Sequence, residues 1–405
     1  MADFTPHDDE TNPFKLAARS RWLYLARMGK EAWNTWATAE LEKPSEDRTD
    51  VILSNERIDV ADFRGFIFPS DTYFESSEFF KGTYFTAAKF YGAAYFSKAK
   101  FYASANFRIA NFFDNASFGL AQFSGDAIFG GTTFMTDASF REATFTADAD
   151  FGAAKFLAEA YFIKATMKSI WRMSQARIVG TLDAQTADIN GHALFAEIDF
   201  QIPPDLTSTS FSQPPSFLGS TFRYPCSIRV WGKCDIPDGE ARFRRLKQLA
   251  ADTHDHELEL RLFALETKAK RFHTLKLADP RHWPGLVLNF AYGWFSDFGQ
   301  SVLRPLGWLL LTVGLAFSTF WSAAPAATSL WVSAVATGVN VVPFAGQVVL
   351  GREIMTKGLC PTPETDVGHL DCLTTLYTIS AVEGVFGLIF LFLIGLGLRN
   401  RFRIK

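Results

Sequence analysis

The side chains with the most chemistry in them stand near the C-terminus, in a stretch almost without charge. Glu383 is the single formal charge in the apolar run Cys372–Leu398, "CLTTLYTISAVEGVFGLIFLFLIGLGL". On a helix, eleven residues into that run is ~16 Å from its outer end at the standard rise. An ionised carboxylate at that depth costs several kcal/mol unless it faces a cavity or a partner. Ser380 and Gly387 share its helical face, and upstream Ser329, Ser333 and Thr337 recur at four-residue intervals, followed by Asn340 and Pro343. Glu383, Ser380, Ser333, Thr337, Asn340 and Pro343 are therefore candidates to line a pore. Two plainer readings stand beside this one. Glu383 is protonated and bonded to Asn340 or a backbone carbonyl, with the hydroxyls bonding their own helix; and Gly384, Gly387, Gly395 and Gly397 serve only close helix packing.

Other reactive residues are few. Cys360 and Cys372 bracket "CPTPETDVGHLDC"; outside a cell such a pair reads as a disulfide, the alternative being two thiols. Cys226 and Cys234 are expected as reduced thiols. His254 and His256 lie two apart, so a helix puts them on different faces, and no further cysteine or histidine stands at ligand spacing. No metal or other cofactor is expected. With no phosphate-cradling glycine loop and no nucleophile elbow, no catalytic residues are assigned and the chain is not expected to be an enzyme.

These groups need a membrane to position them. No charged residue occurs between Pro305 and Gly351. "PLGWLLLTVGLAFSTFWSAA" is long enough to cross a bilayer, and Tyr292, Trp294 and Phe295 before it suit the interface. Spans are expected at about 305–324 and 374–398. Lys268, Lys270, Arg271, Lys276 and Arg281 precede the first, Arg399, Arg401, Arg403 and Lys405 follow the last, and the intervening loop 352–371 is acidic. By the positive-inside rule both ends are cytoplasmic and the loop is outside. The number of crossings is then even, so the middle segment, about 328–350, is expected to enter and return.

Most of the remaining chain is a beat. Phe occupies 63, 68, 74, 79, 85, 90, 96, 101, 107, 112, 118, 123, 129, 134, 140, 145, 151, 156 and 162, at intervals alternating between five and six. These positions (Phe63, Phe68, Phe74, Phe79, Phe85, Phe90, Phe96, Phe101, Phe107, Phe112, Phe118, Phe123, Phe129, Phe134, Phe140, Phe145, Phe151, Phe156, Phe162) form the expected repeat core. The beat continues through Met167, Met173, Ile178, Ala184, Ile189, Phe195, Phe200, Leu206, Phe211, Phe217, Phe222 and Ile228. Two residues before most beats stands a small residue such as Ala88, Ala99 or Ala110. The 42 Phe against 10 Tyr reflect this systematic use. A fixed period means stacked repeats, here coils of four faces and 22 residues, six to eight in number. In the six-residue intervals the extra residue is mostly Asp, Asn, Gly or Ser (Asp71, Gly82, Asn115, Asp137, Asp148) and reads as a widened corner bonding its own backbone.

This pattern resembles the pentapeptide repeat family, whose central position is Leu or Phe and whose position two before is small. The resemblance covers roughly residues 52 to 230. It implies a right-handed quadrilateral β-helix, a solenoid, spanning 51–232. The segment "EAWNTW" is similar to a Trp-Asn-x-Trp element found ahead of such rods, so residues 1–50 are expected to form one amphipathic capping helix using Trp33 and Trp36; a membrane-surface helix with a basic face is the alternative. Residues 233–290 read as a helical connector, with two helices broken near Thr253–His256, and 291–405 as an α-helical membrane domain. Helix, re-entrant segment, helix resembles two-transmembrane domains of the potassium-channel type, but "ATGVNVVPF" replaces the Thr-Val-Gly-Tyr-Gly filter, so potassium selectivity has no support. Some pentapeptide rods act as duplex-DNA decoys. Residues 58–230 hold 17 acidic and 14 basic residues, too balanced to replace phosphate, so nucleic acid is not an expected partner. The resulting expectation is an oligomeric channel-like protein of the cytoplasmic membrane of a bacterium, with a cytoplasmic rod. The alternative is a membrane-anchored scaffold whose rod docks a protein partner.

Overall fold

The computed structural model describes residues 21–60, 62–224, 238–273, 280–323, 329–341 and 366–402. Residues up to Ala269 form one compact unit and those from Lys270 a second.

The first unit is a parallel β-solenoid. Twenty-nine two-residue strands run from Val51–Ile52 to Thr221–Phe222 and stack into parallel sheets of 7, 6, 6 and 8 strands, with a two-stranded remnant at the end. Register advances by one coil of 22 residues, as Phe68 pairs with Phe90 and Phe90 with Phe112. The beat residues point inward and form four columns. In one of them Phe63, Phe85, Phe107, Phe129 and Phe151 stack face on face, 4.8 Å apart at each step, which is the strand spacing itself. Neighbouring columns meet edge to face, Phe107 to Phe118 at 5.4 Å and 84°, the arrangement ring quadrupoles favour. Small residues are required beside the rings, and Ala88, Ala99, Ala110 and Ala121 are fully buried. Two of the hydroxyls that take that slot donate to the previous coil: Thr132 to the carbonyl of Phe107 at 2.6 Å, Thr209 to Ala184 at 2.7 Å.

The corners differ from expectation in two ways. Positive φ falls in the five-residue corners, two residues past a beat: Ser76, Ala87, Lys98, Ile109, Leu120 and their non-glycine successors have φ of 49–62°. Each is the third residue of a tight turn closed by a bond such as Ala88 N–H to Phe85 C=O, 3.0 Å. A non-glycine there costs roughly 1 kcal/mol, held down by the ladder bond that Ala87 N–H gives Arg108 C=O. The widened corners, in turn, do not bond only their own backbone. The Asp71 carboxylate accepts the Ala93 amide at 2.9 Å, Asp137 that of Glu159 at 3.1 Å, and Glu159 that of Thr181 at 2.8 Å. The acid at the extra position thus satisfies an amide of the next coil.

The repeat is broken in a compensating way around Ala184, where Trp171 and Leu182, both buried, occupy small slots. Trp171 stands in a small slot, paired between Ala149 and Ala193, while Ala184 stands where a ring belongs. The Trp171 ring, fully buried, lies 5.0 Å from Phe162 and 5.0 Å from Phe195, taking up room that Ala184 leaves.

Both ends of the core are covered. The single N-terminal helix expected is two: residues 21–27 are helical, Gly29 turns the chain at φ 93°, and a second helix runs Lys30–Leu41. Trp33 is fully buried against Phe66 and Phe68 and donates its Nε1–H to Ile67 C=O at 2.7 Å. Asn34 accepts from Ile67 N–H at 3.0 Å and donates to Gly65 C=O at 2.9 Å, so one side-chain amide stands in for a missing strand. Arg27, part of the supposed basic face, pairs with Asp59 at 2.9 Å.

The connector helices, Gly239–Asp252 and His256–His273, break where expected but do more than connect. Phe243, Leu246, Leu249 and Leu262 join the solenoid core in one cluster. Arg242, buried, reaches Asp205 at 3.2 Å and donates to Pro203 C=O at 3.1 Å. Burial holds the nearby Asp183 carboxyl above its usual range; the Gln185 amide opposes this, Asp205 adds to it and Arg242 opposes it. These helices are the second cap.

Candidate functional site

The second unit contains helices Trp283–Ser296, Leu303–Ala323, Ser329–Val341 and Asp366–Phe402. Within them, Leu303–Ser322 and Thr374–Phe402 are long and apolar enough to cross a membrane. The helix Ser329–Val341, 13 residues or ~20 Å at the standard rise, is too short for a ~30 Å hydrocarbon core. It packs against both longer helices.

A reversal precedes the first long helix. Asp297, Phe298 and Gly299 all have positive φ, from 49° to 79°. Near the end of the last helix, Asn400 donates to Gly299 C=O at 3.2 Å. Gly397 lies against Ser301 and Val302 so closely that a Cβ there would meet Val302 at 3.0 Å. The start of one long helix and the end of the other therefore lie side by side. The two run antiparallel, with Arg304 and Arg399 at the same end.

Four of the sequence-selected residues are buried. Ser333, Thr337, Ser380 and Glu383 are all buried in the packing of a single chain, Glu383 only 4% exposed and Ser333 0%. Asn340 and Ser329 lie on the short helix; the side chains of these two and of Cys372 fall outside the described set, and Pro343 and Cys360, with Cys226 and Cys234, lie outside the described residues. The Thr337 hydroxyl donates to Ser333 C=O at 2.8 Å, whereas Ser333 Oγ has no hydrogen-bond partner among the described residues.

Beside Glu383 is a groove of about 390 Å³ between the two long helices, lined by Thr312, Ala316, Thr319, Thr378 and Phe386 among others. The three threonine hydroxyls donate back to their own helices, to Leu309, Ala316 and Thr375. They therefore offer the groove mainly methyl groups. Among the described residues no group of His, Cys, Asp and Glu is placed to hold a metal ion.

Sequence reasoning missed the reversal at 297–299 and its Asn400 clamp. Asp-Phe-Gly before an apolar run was the available signal.

A family model described as "Pentapeptide repeats (9 copies)" matches residues 85–133 and 110–155. Neither curated proteins nor solved structures yield a significant match.

Proposed function

We infer that this chain, whose solenoid is built of pentapeptide repeats, is a two-span membrane protein that holds a rigid rod at the cytoplasmic face as a docking arm. On this reading the solenoid is the right-handed, four-sided form of that family. The observation that carries it is the antiparallel pair of spanning-length helices clamped by Asn400 and Gly299, with arginines at the shared end. Leu310, Leu311, Leu388 and Phe392 on these helices are exposed, a surface that suits lipid and not water. Trp283 and Trp294, also exposed, suit an interfacial position for the preceding helix.

The burial of Glu383 bears on the choice between anchor and channel. A side chain on the shared axis of an oligomeric pore is open in the isolated chain, and Glu383, Ser380, Ser333 and Thr337 are closed. They fit a structural role within the helix packing of one chain. The channel remains the second reading because a short helix lies between two spans; its pore would then be lined by faces open in one chain. Planar-bilayer recording separates the two. The anchor expects no discrete currents from protein that co-floats with liposomes, and reproducible single-channel currents would overturn it in favour of the channel.

A further inference from the structure

The two widened corners of each coil are the same structural position, yet they carry different side chains. On one corner the residue after the beat runs Phe80, Tyr102, Ser124, Thr146, Lys168, turning polar after two coils. On the other it runs Tyr91, Phe113, Met135, Leu157, Val179. This second row is apolar over five coils in succession. Tyr91 and Phe113 stack outside the core at 4.7 Å, Phe113, Met135 and Val179 are exposed, and Tyr91 and Leu157 are half-buried. At ~4.8 Å per coil the ridge is about 19 Å long.

Charge flanks the ridge asymmetrically. Two residues before it, on the outward side of one sheet, stand Lys89, Lys155 and Arg177, in register with one another through Asn111 and Thr133. All three are exposed, and none forms an ion pair with a described residue, in contrast to Arg57, Lys100, Lys164 and Arg172 elsewhere on the rod. On the far side stand Asp114, Asp137 and Glu159. The ridge has a basic bank and an acidic bank.

We propose that this ridge pairs with the same ridge of a second copy of the chain, the two rods lying side by side and parallel. Charge selects both the occupant and its direction. Turning one rod end for end about an axis across the interface sets basic bank on basic bank. A two-fold axis along the rods sets each basic bank on the side of the partner's acidic bank, and at the one coil that carries both charges Lys155 of one copy faces Glu159 of the other. Two chains held in one membrane are also confined together; to that extent the inference rests on the anchor.

The area fits the same picture. A strip 19 Å long and about 20 Å wide hides ~400 Å² per rod, roughly half of what a stable free dimer buries per partner. Confinement to one membrane supplies the missing drive as effective concentration, which tethering brings to the millimolar range.

The test uses the full chain in liposomes, with p-benzoylphenylalanine in place of Leu157 and photolysis followed by peptide mapping. Flotation is scored separately on each sample. Pairing expects a covalent dimer whose cross-link maps to residues 135–179 of the partner. It also expects at least a tenfold loss of that dimer in Met135→Lys or Lys155→Glu, and no loss in Thr146→Lys on the opposite corner; all three are surface changes that leave the core intact. Floating protein that gives no ridge cross-link, or a dimer insensitive to Met135→Lys, overturns the pairing and leaves the anchor standing. Protein that does not float overturns both.

Discussion

Trp171 and Ala184 offer a quantitative test of how the rod is packed. If the Trp171 ring fills the room left by Ala184, each single change to the regular pattern is damaging and the two together repair one another. Trp171→Ala empties a fully buried site whose ring contacts Phe162 and Phe195 at 5.0 Å; such truncations cost about 3–5 kcal/mol. Ala184→Phe places a ring one coil above Phe162 while the indole still occupies that space, an overpacking of about 1–3 kcal/mol or more. In the double variant the new phenylalanine continues the column Phe118, Phe140, Phe162, whose rings stack at 4.8–4.9 Å, and the small slot again holds alanine. The coupling is expected to reach about 2 kcal/mol, against additivity within about 0.5 kcal/mol for independent sites. Amide hydrogen exchange of the full chain in detergent, followed on peptides spanning 160–200, reads it locally. Each single variant should lose protection, and the double should regain at least tenfold over the sum of the two losses. Additive losses would refute the complementary packing and leave Trp171 a chance substitution.

Other outcomes follow from the caps and corners. Asn34→Leu removes an amide that serves Ile67 N–H and Gly65 C=O, leaving both unserved; exchange at residues 63–68 should rise at least tenfold while coils beyond 110 stay protected. Burial pushes the Glu40 carboxyl up, but its bonds to Lys43 and the Thr49 amide and the Lys43 charge outweigh that and hold it below 4.5. The cap stabilisation it provides is therefore full above that value and is lost as pH falls through the lowered one. Tryptophan fluorescence of the Trp22, Trp33 and Trp36 cluster should shift reversibly in that acid window, and Glu40→Gln should flatten the shift. Gly191→Ala would set a Cβ 2.0 Å from Ser169 C=O, a contact only backbone movement relieves; the melting temperature should drop by several degrees, where Gly119→Ala, with its nearest atom at 3.7 Å, should change it little.

Much of the rod was legible because its information is periodic. Nineteen phenylalanines on one beat determine coil length, inward positions and register together. The positive-φ corners were not legible, since Ala87, Lys98, Ile109 and Leu120 share no chemistry; the ladder bonds above and below impose the conformation. The capping role of residues 239–273 was hidden for a related reason: an apolar stripe such as Phe243, Leu246 and Leu249 announces a helix with something to cover, not what it covers. At Glu383 the sequence located a costly charge and its helical face. It could not say that the neighbouring helices of the same chain close over that face, because burial depends on packing between segments far apart in the chain.

The central claim, a membrane anchor with the rod on one side, is tested most directly by the chain's own cysteines. Sealed right-side-out and inverted membrane vesicles carrying the full chain would be treated with an impermeant maleimide after mild reduction, and the labelled peptides mapped. The account expects Cys226 and Cys234, which follow the rod in sequence, to label only in inverted vesicles, and Cys360 and Cys372 only in right-side-out ones. All four labelling from the same side, or the chain leaving the vesicles in alkaline carbonate, would contradict it.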